Sequence, residues 1–323
     1  SKLADSGRRI RALRPLGVDF PAVGWQLARQ FRRDGSPADV VVGDAALLWA
    51  LRFEPAVAVL HGNGAGHAAA IGGRRGWHLY AQYRWLINSL ARRGAAHRQA
   101  VAVSEFCARA AARYTGVPAA RVIDNAIDTE HFHPAGESGS DRPGLRASFG
   151  LPERGFLALF VGRPTYSKGI DLVSAVAARL GPGAGVVVAK PGHKHARLPG
   201  LHVLNDVSYD RMADLYRATD TLLFPSRYEG CGLAVLEAMA SGLPVVAGRV
   251  GVADSVAQRD PLLAKWLPDR WEPDAFAEPM AALQQSAELR RQLGEAGRHY
   301  VLRHHTLEPF LKEWTDLIES AVE

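Results

Sequence analysis

TLLFPSRYEGCGLAVLEAMASGLPVVAG, residues 221–248, is the stretch that decides the fold. TLLFPS and LPVVAG are apolar runs without alternation, the pattern of strands buried on both faces, while LAVLEAMAS between them carries helical spacing. Strand, loop, helix and strand in so short a span form a crossover between parallel strands. Gly242 and Pro244 stop the helix. In the loop RYEGCG, Gly230 and Gly232 allow a tight turn and close backbone approach. The N–H groups at the helix start, around Gly232, Leu233 and Ala234, are suited to an anion.

The same alternation extends in both directions. Towards the N-terminus, FLALFVG and GVVVAK read as strands, and GIDLVSAVAARL and SYDRMADLYRAT as helices. Further back, PADVVVGDAALLWAL, PAVAVLHG, QAVAVSEF and RVIDNAID read as valine-rich strands or strand-helix junctions. FPAVGWQLARQFRR and GWHLYAQYRWLINSLARR have helical patterns. AGESGSDRPG, after Pro134, has the composition of an exposed linker. These features predict two α/β doubly wound units, residues 1–134 and 135–305, with a helix at 306–323 closing a helical tail.

Composition narrows the function. A 323-residue chain that is 47% hydrophobic and 22% charged is a globular protein, not a disordered one. Two cysteines, Cys107 and Cys231, make neither a disulfide framework nor a multi-cysteine metal site, which suits a reducing, cytoplasmic setting. No apolar run is long enough to span a bilayer. Residues 1–150 hold 20 basic against 12 acidic side chains, so the front half is the basic one. That asymmetry fits a solvated arginine-rich surface or attraction to phosphate, anionic lipid or nucleic acid. In residues 77–93 an apolar stripe of Tyr80, Tyr83, Ile87 and Leu90 is surrounded by arginines. It reads as a core-facing helix or as one lying on an anionic membrane.

Three groups of residues carry chemistry. Glu229 precedes the helix of the opening stretch and Glu237 lies about one turn into it, so the two acids bracket an anion held at the helix start. FVGRPTYSKGID, residues 160–171, sets Arg163 and Lys168 at a strand's carboxyl end, where open parallel sheets bind ligands. A planar guanidinium and a mobile ammonium together neutralise a departing diphosphate. AVAVLHGNGAGH ends a strand at His61, within reach of a sugar hydroxyl or in a purely structural place. Neither GxxxxGK[ST] nor GxGxxG occurs in this segment, which disfavours ATPase and dinucleotide chemistry. The histidine pairs His61/His67, His131/His133 and His193/His195 lack partners at metal-site spacing, so no metal and no cofactor are expected.

Taken together, EGCGLAVLE with its Glu-x7-Glu spacing, the flanking PS and EAMASGLPVVA, GRPTYSKG, VAVSE, NAIDTEHFHP and His61 resemble the family 4 retaining glycosyltransferases of GT-B fold. The resemblance runs from about residue 37 to the C-terminus. It implies two Rossmann-like domains facing a cleft, the first one shortened because no first strand is recognisable before residue 37. It also implies a nucleoside-diphosphate sugar held mainly by the second domain, a final helix crossing back to the first, and no metal. By motif, Arg163 and Lys168 would meet the diphosphate, assisted by the backbone at Gly232 and Leu233. Glu237 would meet the ribose, and Glu229 and His61 the transferred sugar. The chain departs from the family pattern at Cys231, where phenylalanine is common, and in VVVAKPGHKH, which replaces a glycine-rich turn.

The expected activity is transfer of a sugar, with retention, from a UDP-, GDP- or ADP-sugar to an acceptor hydroxyl on a glycan, a lipid-linked molecule or a small molecule. Peripheral contact with the inner membrane face stays open. The alternatives are a nucleotide-sugar-binding subunit without catalysis and a basic nucleic-acid-binding protein, for which no motif is present.

Overall fold

The computed structural model describes residues 10–11, 40–44, 56–62, 64–73, 76–77, 99–116, 118–119, 121–134, 142–181, 183–190 and 201–322. The helical patterns at 20–33 and 78–93, the linker residues 135–141 and the KPGHKH segment beyond Lys190 lie outside them. The chain divides into two compact units. One comprises residues 1–125, the tripeptide Glu229–Cys231 and Glu308–Glu323; the other comprises Ala126–Tyr228 and Gly232–Leu307.

The first unit carries a parallel sheet in the order β1 (Ile10–Arg11), β2 (Val40–Asp44), β3 (Ala56–Leu60), β4 (Gln99–Ala102) and β5 (Arg121–Val122). Helix α1 (Gly64–Ile71) follows β3, and α2 (Glu105–Thr115) follows β4. Ser104 caps α2, its Oγ accepting from the Cys107 amide at 3.0 Å. β1 lies before residue 37, where no strand was legible. Its two residues sit among arginines in RRIRALRP, which leaves neither an apolar run nor a period.

The C-terminal helix, Leu307–Val322, belongs to this unit from Glu308 onwards. Phe310, Trp314, Leu317, Ile318 and Ala321 repeat at i, i+4, i+7, i+8 and i+11, one face of a helix. Leu317 and Ile318 are buried with Val40, Val57, Val101 and Ile123, so that face completes the core over the sheet.

The second unit has the order β10 (Val245–Ala247), β9 (Thr221–Phe224), β6 (Phe156–Val161), β7 (Ala184–Lys190) and β8 (His202–Asn205), all parallel. The chain fills one side of β6 first and then returns to its other side, so the order reverses between β6 and β9. That reversal makes the carboxyl ends of these two strands the ligand-binding place of a doubly wound sheet. TLLF is buried throughout and FLALFV nearly so, as its unbroken apolar run requires. β8 was not apparent in the sequence, because this edge strand is half-buried and its HVLN is too short and mixed to stand out.

Helix α3 (Arg142–Ser148) begins inside the stretch read as linker; Pro143 sits in its first turn, where a missing N–H costs nothing. Helix α4 (Ile170–Ala177) follows β6, α5 (Tyr209–Ala218) follows β8, and α6 (Leu233–Ala240) follows β9. The helices Val252–Arg259, Pro261–Ala264, Pro273–Gln285 and Ala287–His304 complete the unit.

A buried ion pair joins the start of this sheet to α3. Asp220 accepts from Arg146 Nη2 and Arg142 Nη1, each at 2.8 Å, and from the Leu157 amide at 2.8 Å. Arg146 also donates to the carbonyls of Ala218 and Gly155, so its charge is both paired and hydrogen-bonded.

Candidate active site

In the second unit, the sequence-predicted cations and the helix start lie on the loops that leave β6 and β9. β6 ends at Val161, and the chain passes through exposed Arg163 into a single 3-10 turn, Tyr166–Lys168. Gly169 closes the turn at φ +78°, and a Cβ there would lie 2.3 Å from the Pro225 carbonyl oxygen. Only glycine lets the two loops approach so closely. Lys168 Nζ rests 5.8 Å from the centre of the Phe224 ring, the last residue of β9.

Gly232 caps α6 with φ +88° and brings no side chain of its own to the helix start, and the first turn of α6 has no acidic residue. Leu233, 44% exposed, leaves this end of the helix accessible although most of α6 is buried. The helix start therefore keeps the positive end of its dipole available to an anion.

Glu237 sits one turn into α6. Tyr216 on α5, fully buried, donates from Oη to Glu237 Oε2 at 2.7 Å. Burial raises the Glu237 pKa, while the Tyr216 hydrogen bond and the charge of His131 oppose that rise. Burial and the neighbouring carboxylate together raise the Tyr216 hydroxyl well above its usual value, so Tyr216 stays a donor. His131 stacks on Tyr209 with ring centres 4.9 Å apart, and Phe132 packs edge-on between Tyr209 and Tyr216. Glu237 is thus a carboxylate held by one buried donor in an aromatic surround, not a solvated charge on a helix surface.

The other two predicted residues belong to the first unit. His61 directly follows β3 and is exposed. Glu229 is half-buried at the start of the tripeptide. A Cβ on Gly230 would lie 1.7 Å from the His61 carbonyl oxygen, so the backbone of the tripeptide lies directly against the His61 peptide. The Gly230 carbonyl accepts a hydrogen bond from the buried Ser104 hydroxyl. Cys231 is buried next to it, and burial pushes its thiol up to about 12, which removes it as a nucleophile at neutral pH. Glycine at 230 is therefore required by the close contact of its backbone with the His61 carbonyl.

Sequence reasoning missed Tyr216, His131 and Tyr209 around Glu237, and it missed Arg227. Arg227 donates to both oxygens of Asp171, at 2.9 and 2.8 Å, and to the Tyr166 carbonyl at 2.7 Å. These partners lie far apart in the chain, and no spacing rule links them; only the presence of Arg227 in the loop SRYEG pointed towards the site. Among the described residues no group of three or more His, Cys, Asp or Glu side chains is placed to hold a metal ion. No described helix is long and apolar enough to cross a membrane.

Comparison with known proteins gives two family matches. A model described as glycosyl transferases group 1 matches residues 141–300, and one described as Glycosyltransferase Family 4 matches residues 3–131, which reaches further forward than the resemblance in the sequence. A D-inositol 3-phosphate glycosyltransferase of Salinispora arenicola is 32% identical over 212 residues, covering 58% of this chain and 47% of that protein. The chain thus spans under half the length of that relative. Among solved structures, sucrose-phosphate synthase from Thermosynechococcus elongatus superposes with a TM-score of 0.76 at 17% identity, covering 95% of this chain and 81% of that one. The Anabaena HepE protein, solved in complex with UDP and glucose, gives 0.70 at 16% identity, covering 95% and 84%. Likeness at this identity shows the fold, the two-domain GT-B architecture.

Proposed function

We propose that this chain, which belongs to the family 4 glycosyltransferases, moves a sugar from a nucleoside-diphosphate sugar to an acceptor hydroxyl with retention of anomeric configuration. The observation that carries this reading is the pairing, at one topological switch point, of the Arg163–Lys168 loop with an accessible helix start one turn ahead of a half-buried carboxylate held by a buried tyrosine. A diphosphate suits the cations and the helix start, and a ribose suits Glu237. Glu229 and His61 take the transferred sugar by family likeness. The complex of HepE with UDP and glucose makes a UDP-sugar the first donor to try.

In the proposed reaction the bond between the anomeric carbon and the diphosphate oxygen breaks, and its electron pair leaves with the diphosphate. Arg163, Lys168 and the backbone amides at Gly232 and Leu233 stabilise that developing charge. The acceptor oxygen bonds to the anomeric carbon on the face the diphosphate leaves, and its proton passes to the departing phosphate oxygen. No side chain is needed as general base, unlike the paired carboxylates of a glycosidase.

A thermal-shift panel of UDP, GDP, ADP and their common sugars tests the donor class. A ligand at about a hundred times its dissociation constant adds about 2.7 kcal/mol to stability, so one nucleotide series is expected to raise the melting temperature clearly. No shift with any of them would contradict the reading.

Tyr216→Phe is expected to weaken binding of that nucleotide several-fold, for a lost hydrogen bond of about 1 kcal/mol. Its hydrogen bond opposes the effect of burial on Glu237, so removing it lets the Glu237 pKa rise further. As pH falls, the variant loses the carboxylate, and with it affinity, at a higher pH than the parent. Titrations of nucleotide affinity against pH for both proteins check this; coincident profiles would count against a role for Glu237 in binding.

A further inference from the structure

Lys168, the residue the proposed chemistry asks most of, sits at the end of a three-residue turn in the loop after β6. A turn of that length does not fix a lysine by itself. The structure offers a specific means of fixing it, in a residue of the neighbouring loop.

Arg227 lies three residues beyond the end of β9, and its side chain is only 9% exposed. Its guanidinium forks onto Asp171, with Nη1 to Oδ1 at 2.9 Å and Nη2 to Oδ2 at 2.8 Å. Nη1 also donates to the Tyr166 carbonyl at 2.7 Å, and the guanidinium carbon sits 3.9 Å from the centre of the Tyr166 ring. The backbone amide of Arg227 donates to the Ser167 carbonyl at 2.9 Å. Arg227 therefore grips the two residues before Lys168 and, through Asp171, the first turn of the helix after it. Between these grips, Gly169 is pressed against Pro225 of the same β9 loop.

We propose that Arg227 is a positioning residue, a strap that joins the β6 and β9 loops and sets where Lys168 is held. With both oxygens of Asp171 bound to it, Arg227 is charge-paired within the protein and does not serve as the ligand of the diphosphate. The role requires arginine, because a lysine ammonium cannot fork onto a carboxylate, reach a carbonyl and stack on a ring at the same time. This inference rests on the donor-site reading above.

The test compares Arg227→Ala, Arg227→Lys, Lys168→Ala and the double variant Arg227→Ala/Lys168→Ala. Release of UDP from UDP-glucose is measured, or of the nucleoside diphosphate from whichever donor the thermal panel selects, together with the melting temperature of each variant. A strap that acts through Lys168 in the transition state is expected to lower kcat by about tenfold in Arg227→Ala while KM for the donor changes by less than about twofold. Arg227→Lys, which keeps the charge and the fold, is expected to share most of that loss. In the Lys168→Ala background the Arg227 substitution is expected to add less than about twofold.

A full additional loss in the double variant, or parental kcat in Arg227→Lys, would overturn the strap while leaving the donor site standing. Parental turnover in Lys168→Ala would instead overturn the donor-site reading, and the strap with it. If Arg227→Ala does not fold, Arg227→Lys alone and combined with Lys168→Ala gives the same decision.

Discussion

Lys168→Ala is expected to lower turnover by on the order of a hundredfold or more, with a much smaller change in donor affinity. The magnitude follows from about 3 kcal/mol for one lost contact to charge that develops only in the transition state. The ammonium rests over Phe224 at the carboxyl end of β9, and the loop after β9 leads into the accessible start of α6, where a leaving diphosphate is proposed to collect its charge. In the proposed site, ground-state binding is shared by Arg163, the helix start and Glu237, so it is expected to suffer less. Single-turnover rates of nucleotide release, set beside donor affinity by calorimetry, separate the two effects. A variant that turns over at the parental rate would remove Lys168 from the chemistry.

Asp220→Ala is expected to destabilise the protein by about 3–5 kcal/mol, the cost of leaving a buried charge without its partner. Arg146 is 3% exposed and Asp220 5%, so water cannot replace the lost carboxylate. The same carboxylate accepts the amide of Leu157, the second residue of β6, so its loss also leaves a buried backbone donor unmatched. Arg142, nearly half exposed, regains water and contributes little to the loss. At about 2–4 °C per kcal/mol for a unit of this size, the melting temperature is expected to fall by roughly 10 °C. Thermal unfolding by calorimetry checks this, and a fall within a degree or two would mean that Arg146 is satisfied without Asp220. The loss acts on stability and not on the site, so nucleotide affinity well below the melting temperature is expected to persist.

The second sheet was legible because its strands are buried on both faces and its helices have clear stops. TLLFPS, FLALFVG and LPVVAG needed no tertiary information, and α6 falls within the LAVLEAMAS pattern. What escaped was short or only half-buried. β8 is a four-residue edge strand, and β1 is two residues among arginines, so neither builds the apolar run on which strand recognition depends.

The site divides along a similar line. Glu229, Glu237, Arg163 and Lys168 were proposed from the sequence because their chemistry lies in the residue type and in its distance from a strand end or helix start. Tyr216 was hidden because a tyrosine at helical spacing looks like core, and it is core except for the hydroxyl that meets Glu237. Arg227 was hidden because its meaning lies in Asp171 and Tyr166, which adjoin it only in the folded chain. The crowding of glycine around Glu229 also has its cause in the fold: at Gly230 the room is taken by the carbonyl of His61.

The most direct test of glycosyl transfer is to incubate the protein with the nucleotide sugar that the thermal panel selects, with and without candidate acceptor alcohols, and to follow the anomeric proton by NMR. The predicted result is release of the nucleoside diphosphate with the sugar appearing first in the anomeric configuration it had in the donor. Tight donor binding with no release under any condition, or a product of inverted configuration, would contradict it.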